Sequence, residues 1–262
     1  MKKSTLISLL FVAVSAISFS YVGSQVTHQL DGSIAAAPND LAVSDSNLQN
    51  QMDEVSYLSS IIFSELKLEE KGLSRNALEL AVKGYLHLRE EGRLENPLLS
   101  IVDLSQSSRN KRFYLLDMRN NKLLENTYVA HGKSSGADMA SDFSNAIGSE
   151  KSSLGFYLTG ETYKGKHGFS LKIEGLEEGF NDNAADRAIV VHGANYVNAG
   201  RAVSNYMGRS QGCPALPMAD YKKIINEIKG GSALFIYSPN YEYLNNSQLV
   251  NNTGSVSIDT LG

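Results

Sequence analysis

The chain has 262 residues, 42% apolar and 20% charged, with a formal net charge of −4. That composition supports a packed core and excludes a wholly disordered chain. No Lys/Arg run interleaves with aromatic residues, so no nucleic-acid partner is expected.

At the start of the chain, Lys2 and Lys3 give a positive end and Leu6 to Phe19 is apolar. Small residues around Ser20, Gly23 and Ser24 offer a cleavage point. Residues 1–24 read as an export signal, with an apolar run short for a membrane span. The alternative is an uncleaved anchor, so membrane proximity is expected only through the N-terminus. The expected location is outside the cytoplasm, in the periplasm or cell envelope. Residues 25–51 are rich in Ser, Asn, Gln, Ala and Asp, include Pro38, and show no apolar period. They read as a solvated linker.

Residues 52–96 form a small helical segment. Val55, Leu58, Ile61, Ile62 and Leu66 recur at helical spacing over Asp53 to Leu68. Ser74 is placed to cap a second helix that buries Ala77, Leu78, Ala81, Val82, Tyr85 and Leu86 and stops at Gly92. His87, inside it, is expected to be structural or solvated.

From Pro97 the period becomes two. Strands are predicted over Leu98 to Leu104, Arg112 to Met118, Lys122 to Ala130, Gly155 to Thr162, Ser170 to Glu174, Ala188 to His192 and Ala233 to Ser238, with a hairpin turn at Asn120–Asn121. One embedded helix runs from Met218 to Lys229, with Tyr221, Ile224, Ile225 and Ile228 inward. The predicted fold is mainly β, a sandwich or barrel-like domain over residues 97–240 with that helix embedded, preceded by the small helical segment. Residues 241–262, rich in Asn and Ser, read as a flexible tail.

Cys213 is the only cysteine. An exported protein with one unpaired thiol lacks the cysteine pairs of a disulfide scaffold and carries an oxidisable group. Cys213 lies in the Gly-rich stretch Gly208-Arg-Ser-Gln-Gly-Cys-Pro214, just before a helix, and His192 ends an apolar strand and is followed by Gly193. A free thiol has a pKa near ~8.5, and a neighbouring imidazolium would hold its anion at neutral pH. The same ring can pass a proton to a leaving amine. Gly212 permits a tight turn, and the N–H groups of Gly212 and Cys213 form a pair able to receive an oxyanion. Pro214 holds Cys213 extended. The competing reading is a buried structural cysteine with unrelated histidines. Scattered histidines and one cysteine lack ligand pairs at short spacing, so no metal is expected.

Several stretches together resemble the L,D-transpeptidases of the YkuD type, in the branch of murein L,D-transpeptidase catalytic domains. They are Tyr128-Val-Ala-His-Gly132, Phe143-Ser-Asn145, Lys151-Ser-Ser-Leu-Gly155, Gly165-Lys-His-Gly168, Val191-His-Gly193 and Gly208-Arg-Ser-Gln-Gly-Cys-Pro214. The resemblance spans about Ser100 to Tyr237. It implies Cys213 as nucleophile, His192 as its proton partner, the Gly193 carbonyl as the group orienting the imidazole, and the Gly212 N–H in an oxyanion hole. Ser210 matches the motif's Ser/Thr. Two departures stand out: Gln211 replaces the second motif histidine, and Pro214-Ala215 replaces the apolar-then-Arg/Asn pair. Arg209 is placed to supply the missing cation for a substrate carboxylate. His131, His167 and Tyr196 are expected to line the cleft, with Tyr157 and Tyr196 as side-chain oxyanion donors or wall.

The resemblance implies a peptidoglycan transpeptidase that needs no cofactor. Its partner is the peptidoglycan stem peptide. Cys213 attacks the third residue of a tetrapeptide stem, D-alanine leaves, and a second stem's amine completes a 3→3 cross-link. It also implies covalent inhibition by carbapenems. Two alternatives stay open: an L,D-carboxypeptidase or wall-protein-detaching hydrolase with the same Cys–His site, and a non-catalytic wall-binding module.

Overall fold

The computed structural model describes residues 54–251. The segments read as export signal and linker lie outside them, as do residues 252–262. Helix α1 covers 54–65 and α2 covers Arg75–Glu90. Ser74 caps α2 by accepting the Ala77 N–H at 3.4 Å, which satisfies one amide left bare by the first turn. Gly92 ends it with φ +68°, a left-handed conformation suited to glycine. The predicted apolar stripe of α2 is buried throughout.

Eight strands follow: β1 (Leu98–Asp103), β2 (Phe113–Asp117), β3 (Lys122–Thr127), β4 (Gly155–Gly165), β5 (Gly168–Gly175), β6 (Val190–Ala194), β7 (Ala215–Pro217) and β8 (Ala233–Tyr237). They form one mixed sheet in the order β3-β2-β1-β8-β4-β5-β6-β7. The pairs β1/β8 and β6/β7 are parallel. Just past β3 the chain reaches the far edge, where Ala130 bridges Ala215 and Gly132 bridges Ser210. The sheet is thereby nearly closed, which protects edges that would otherwise present unpaired backbone. This is the mainly-β, barrel-like architecture the sequence predicts.

Central strands β1 and β8 are buried at every position. Cover on both faces explains why Leu98-Leu-Ser-Ile-Val102 and Ala233-Leu-Phe-Ile-Tyr237 read as continuous apolar runs. Helix α2 packs on β1 and β8. Helix α4 (Tyr221–Ile228), the embedded helix, packs on β5 and β6.

Three short helices were not foreseen: α3 (Ala199–Ser204), α5 (Tyr241–Asn246) and α6 (Gln248–Asn251). The last two correct the expectation of a flexible tail from Tyr241. Tyr243 is fully buried and its hydroxyl donates to Glu177 Oε2 at 3.0 Å. Leu249 and Val250 join the core, and α6 packs on α2. The tail's Asn and Ser residues act here as caps: Asn240 accepts the Tyr243 N–H at 2.9 Å, and Ser247 accepts that of Val250 at 3.3 Å. Among the described residues no helix is long and apolar enough to cross a membrane.

Gly84 gives a test of the packing. A Cβ at this position of α2 would stand 2.1 Å from the ring of Phe156 in β4. That ring is buried and stacked on Phe235 with centroids 4.3 Å apart, so it has little room to move. Glycine to alanine in a helix interior ordinarily stabilises by about 1 kcal/mol, whereas overpacking a core costs about 1–3 kcal/mol. The second effect should win. Gly84→Ala is expected to lower the urea unfolding midpoint, and a raised midpoint would contradict this packing.

Candidate active site

Strand pairing brings the two reactive side chains together. β7 runs parallel to β6 with Ala215 opposite His192. Two residues earlier, Cys213 comes alongside Val190, whose N–H points at Sγ from 3.5 Å. Residues matched in register share a face of the sheet, and His192 and Cys213 both line one cleft of about 550 Å³. His167, Tyr196, Arg209, Ser210 and Gln211 line it too.

His192 Nδ1 lies 3.0 Å from the carbonyl oxygen of Gly193. A carbonyl can only accept, so Nδ1 carries the hydrogen and Nε2 keeps its lone pair. Burial pushes the imidazole's pKa down, the Gly193 carbonyl opposes this, and His167 and Lys166 lower it further. The Cys213 side is also buried, at 7% exposure. Burial pushes its thiol pKa up, while the amides of Val190 and of Cys213 itself, with Lys166 and Arg187, pull it back. The sequence reading expected a thiolate held by an imidazolium. Burial instead favours the neutral form of each group, because desolvation penalises both charges, and the Cys213 thiol donates to Ala188 O at 3.8 Å.

Gly212 has φ +116°, and a Cβ there would come 2.7 Å from the Lys151 carbonyl oxygen, so only glycine fits. Its N–H donates to Ser210 Oγ at 3.2 Å, so the amide expected to receive an oxyanion is already engaged. Tyr196 offers another donor. Burial and Cys213 push its hydroxyl pKa up to about 12, and that hydroxyl has no hydrogen-bond partner among the described residues. Tyr157 is different. It is fully buried and its hydroxyl donates to Ser153 O at 3.1 Å, away from the cleft wall, which corrects its expected role as an oxyanion donor or wall.

His131 also departs from expectation. It is 1% exposed and does not line the cleft. Arg112 Nη2 donates to its Nδ1 at 2.5 Å, and its Nε2–H donates to Gly136 O at 3.0 Å. Burial and the Arg112 charge lower its pKa to about 4, so it is neutral. Arg112 is fully buried and makes no ion pair among the described residues, although the charges of Asp103 and Asp138 act on it. Burial lowers its pKa to about 9, and it also donates to Gln106 O at 2.9 Å and to Val129 O at 3.2 and 3.3 Å. The cysteine loop rests on this layer. Ser210 N–H donates to His131 O at 3.0 Å, Lys133 N–H to Ser210 O at 2.8 Å, and Gly208 N–H to Ala137 O at 3.2 Å. A Cβ at Gly208 would stand 2.3 Å from His131 Nε2. The histidine beside a glycine is therefore a strut under the cysteine loop rather than a substrate contact.

The cleft carries more positive charge than the sequence reading saw. Arg209 is exposed and has no hydrogen bond or ion pair among the described residues. Lys166 and Arg187 also line the wall, with Lys133, which pairs with Glu150 at 2.7 Å. Arg187 donates to Ser144 O at 2.8 Å, Lys151 O at 2.6 Å, Ser149 Oγ at 3.2 Å and also Ser153 Oγ, all uncharged groups. Lys166 stood in a quoted motif without a role. Arg187 carried no pattern of its own, and only the folding of the 144–153 segment around it reveals its place. Among the described residues no cluster of His, Cys, Asp and Glu could hold a metal ion.

The profile of the L,D-transpeptidase catalytic domain matches residues 69–237, more than half of the chain. Comparison with curated proteins finds no match. Among solved structures, similar chains include an L,D-transpeptidase from Mycobacterium smegmatis at 12% identity and TM-score 0.34, covering 54% of this chain and 59% of that one. The L,D-transpeptidase LdtMt1 in complex with imipenem is 12% identical with TM-score 0.32, over 54% and 59% of the two chains. An L,D-transpeptidase (Yku) from Stackebrandtia nassauensis is 12% identical with TM-score 0.34, over 63% and 68%. The chain thus spans about three fifths of the length of the first two.

Two outcomes check the site. Arg112→Met strips donors from buried Val129 O, Gln106 O and His131 Nδ1, and should cost about 3 kcal/mol or more in a denaturant titration. A loss below about 1 kcal/mol would remove the strut role from this pair. Cys213 alkylation by iodoacetamide should be slow at neutral pH and climb only as pH passes the ordinary thiol value of about 8.5. A rate already level below neutrality would show a standing thiolate.

Proposed function

The chain belongs to the L,D-transpeptidase catalytic domain family, and on that premise we propose that it is a peptidoglycan acyltransferase of the cell envelope with Cys213 as nucleophile. The observation that carries this is the His192 ring, locked through Nδ1 onto the Gly193 carbonyl, in one open cleft with the Cys213 thiol. A ring fixed in that tautomer presents Nε2 as a base.

In this reading the cationic cleft wall receives the carboxylates of a tetrapeptide stem, with Arg209 and Lys166 as the cations unpaired among the described residues. His192 Nε2 takes the Cys213 proton as the sulfur attacks the carbonyl carbon of the third residue. Starting from the neutral pair means that charge forms only in the transition state, where donors can act on it. The Cys213 N–H and the Tyr196 hydroxyl are the donors offered to the oxyanion, since Gly212 N–H bonds to Ser210. The C–N bond to D-alanine then breaks and His192 returns its proton to the leaving amine, giving a thioester. The amine of a second stem attacks this thioester and loses its proton to the same nitrogen. The amide forms, and the proton goes back to the sulfur. The product is a 3→3 cross-link. Carbapenem acylation of Cys213 follows from the same chemistry. All the covalent chemistry runs through protein side chains, and the reading uses no cofactor.

Incubation with a tetrapeptide muropeptide tests the proposal, read by mass spectrometry with and without an acceptor stem. A cross-linked dimer is expected only when the acceptor is present. Cys213→Ser should fold normally and lose at least about 1,000-fold in acylation rate. A tripeptide as sole product would make the enzyme an L,D-carboxypeptidase or related hydrolase. No product and no carbapenem adduct on Cys213 would overturn the enzymatic reading and leave a wall-binding module.

A further inference from the structure

The turn between β4 and β5 consists of Lys166 and His167, with Gly165 paired to Gly168. Gly168 adopts φ +78°, the left-handed conformation that closes so short a connection. β5 lies beside β6 with Ser170 opposite His192. The turn therefore overhangs the end of β6 where the His192 ring stands. There the His167 ring lies over that of His192, with centroids 4.2 Å apart and planes 19° apart. His167 is exposed and makes no hydrogen bond or ion pair among the described residues. Core packing does not account for an exposed ring whose one specific contact is the face of another imidazole.

We infer that His167 is a positioning residue for His192. By stacking, it holds the imidazole in the plane where Nδ1 meets the Gly193 carbonyl and Nε2 is presented to the cleft. The inference rests on the proposed role of His192 as base. The physical need is clear. The χ2 torsion of histidine is broad and soft, and one edge hydrogen bond lets the ring pivot about the donor atom. A stacked partner blocks that pivot by covering one face. The stacked ring carries its own cost, because a charge on His167 lowers the pKa of His192, and burial, and after it Lys166, lower the pKa of His167 in turn.

Single-turnover acylation of Cys213 by imipenem, followed by intact mass across imipenem concentrations, separates a rate effect from a binding effect. His167→Ala should lower the limiting rate about 3- to 10-fold, the range an aromatic pair supports, and leave the half-saturating concentration unchanged. His167→Phe keeps a ring over His192 without its nitrogens, and should restore the rate to within about 2-fold of wild type. Both changes fall on an exposed turn, and a thermal melt confirms that each variant is folded. Wild-type rate in His167→Ala, or His167→Phe as slow as His167→Ala, overturns the stacking role. So does a change confined to half-saturation, which would make His167 a ligand contact. His192→Ala is run alongside. If it reacts like wild type, the fault lies in the base assignment. If it is inert while His167→Ala is normal, only the present inference fails.

Discussion

The hydrogen bond from His192 Nδ1 to the carbonyl of the following residue governs what this site can do. A carboxylate in that position would add negative charge and favour the imidazolium. A backbone carbonyl supplies direction with only a partial charge. The ring is therefore oriented, while burial lowers its pKa and raises that of the Cys213 thiol in the same cleft. In the proposed mechanism the pair separates charge only during attack. The imidazolium so formed has a lowered pKa, which makes it a good acid toward the departing amine.

Holding two groups from different segments in register asks for a stiff frame, and the near-closed sheet provides one. Parallel pairing of β6 with β7 fixes the spacing of His192 and Cys213. The bridges from Ala130 and Gly132 fasten the cysteine loop to the opposite sheet edge. Beneath them Arg112 and His131 form a buried polar layer in which the donors and acceptors named above are matched. Breaking such a layer leaves unpaired groups in the interior, so it resists deformation. The side of the cleft facing solvent is built differently, from a short turn carrying Lys166 and His167 and from the exposed Arg209. Rigid support below suits the proposed reaction, in which two charged peptides would enter in succession.

Much of this was legible in the sequence because it is local. The α2 cap at Ser74, its stop at Gly92 and the apolar faces of α2 and α4 follow from period and capping chemistry. Cys213 and His192 stood out through their glycine neighbours and through the family resemblance. Tertiary detail was not legible. β7 has three residues and is flanked and ended by Pro214 and Pro217, so strand propensity could not flag it. The tail from Tyr241 looked unstructured because Asn and Ser suggest loops, whereas here they cap helices. His131 was placed near the cleft from its motif position and Tyr157 as a candidate donor or wall, and burial moved both into the frame. Arg187 was missed because it lies in no motif, and only the fold brings it into the cleft with Cys213. The Ser210 hydroxyl, which occupies the Gly212 amide, is likewise a relation that spacing cannot express.

The most direct measurement of the central claim is the protonation state of His192 itself, by 15N NMR of histidine-labelled protein assigned with a His192→Asn variant. The account predicts a neutral ring at pH 7 with hydrogen on Nδ1 and a bare Nε2, titrating below the usual histidine range of about 6.5. A doubly protonated His192 at pH 7, or a neutral ring with its hydrogen on Nε2, would contradict it.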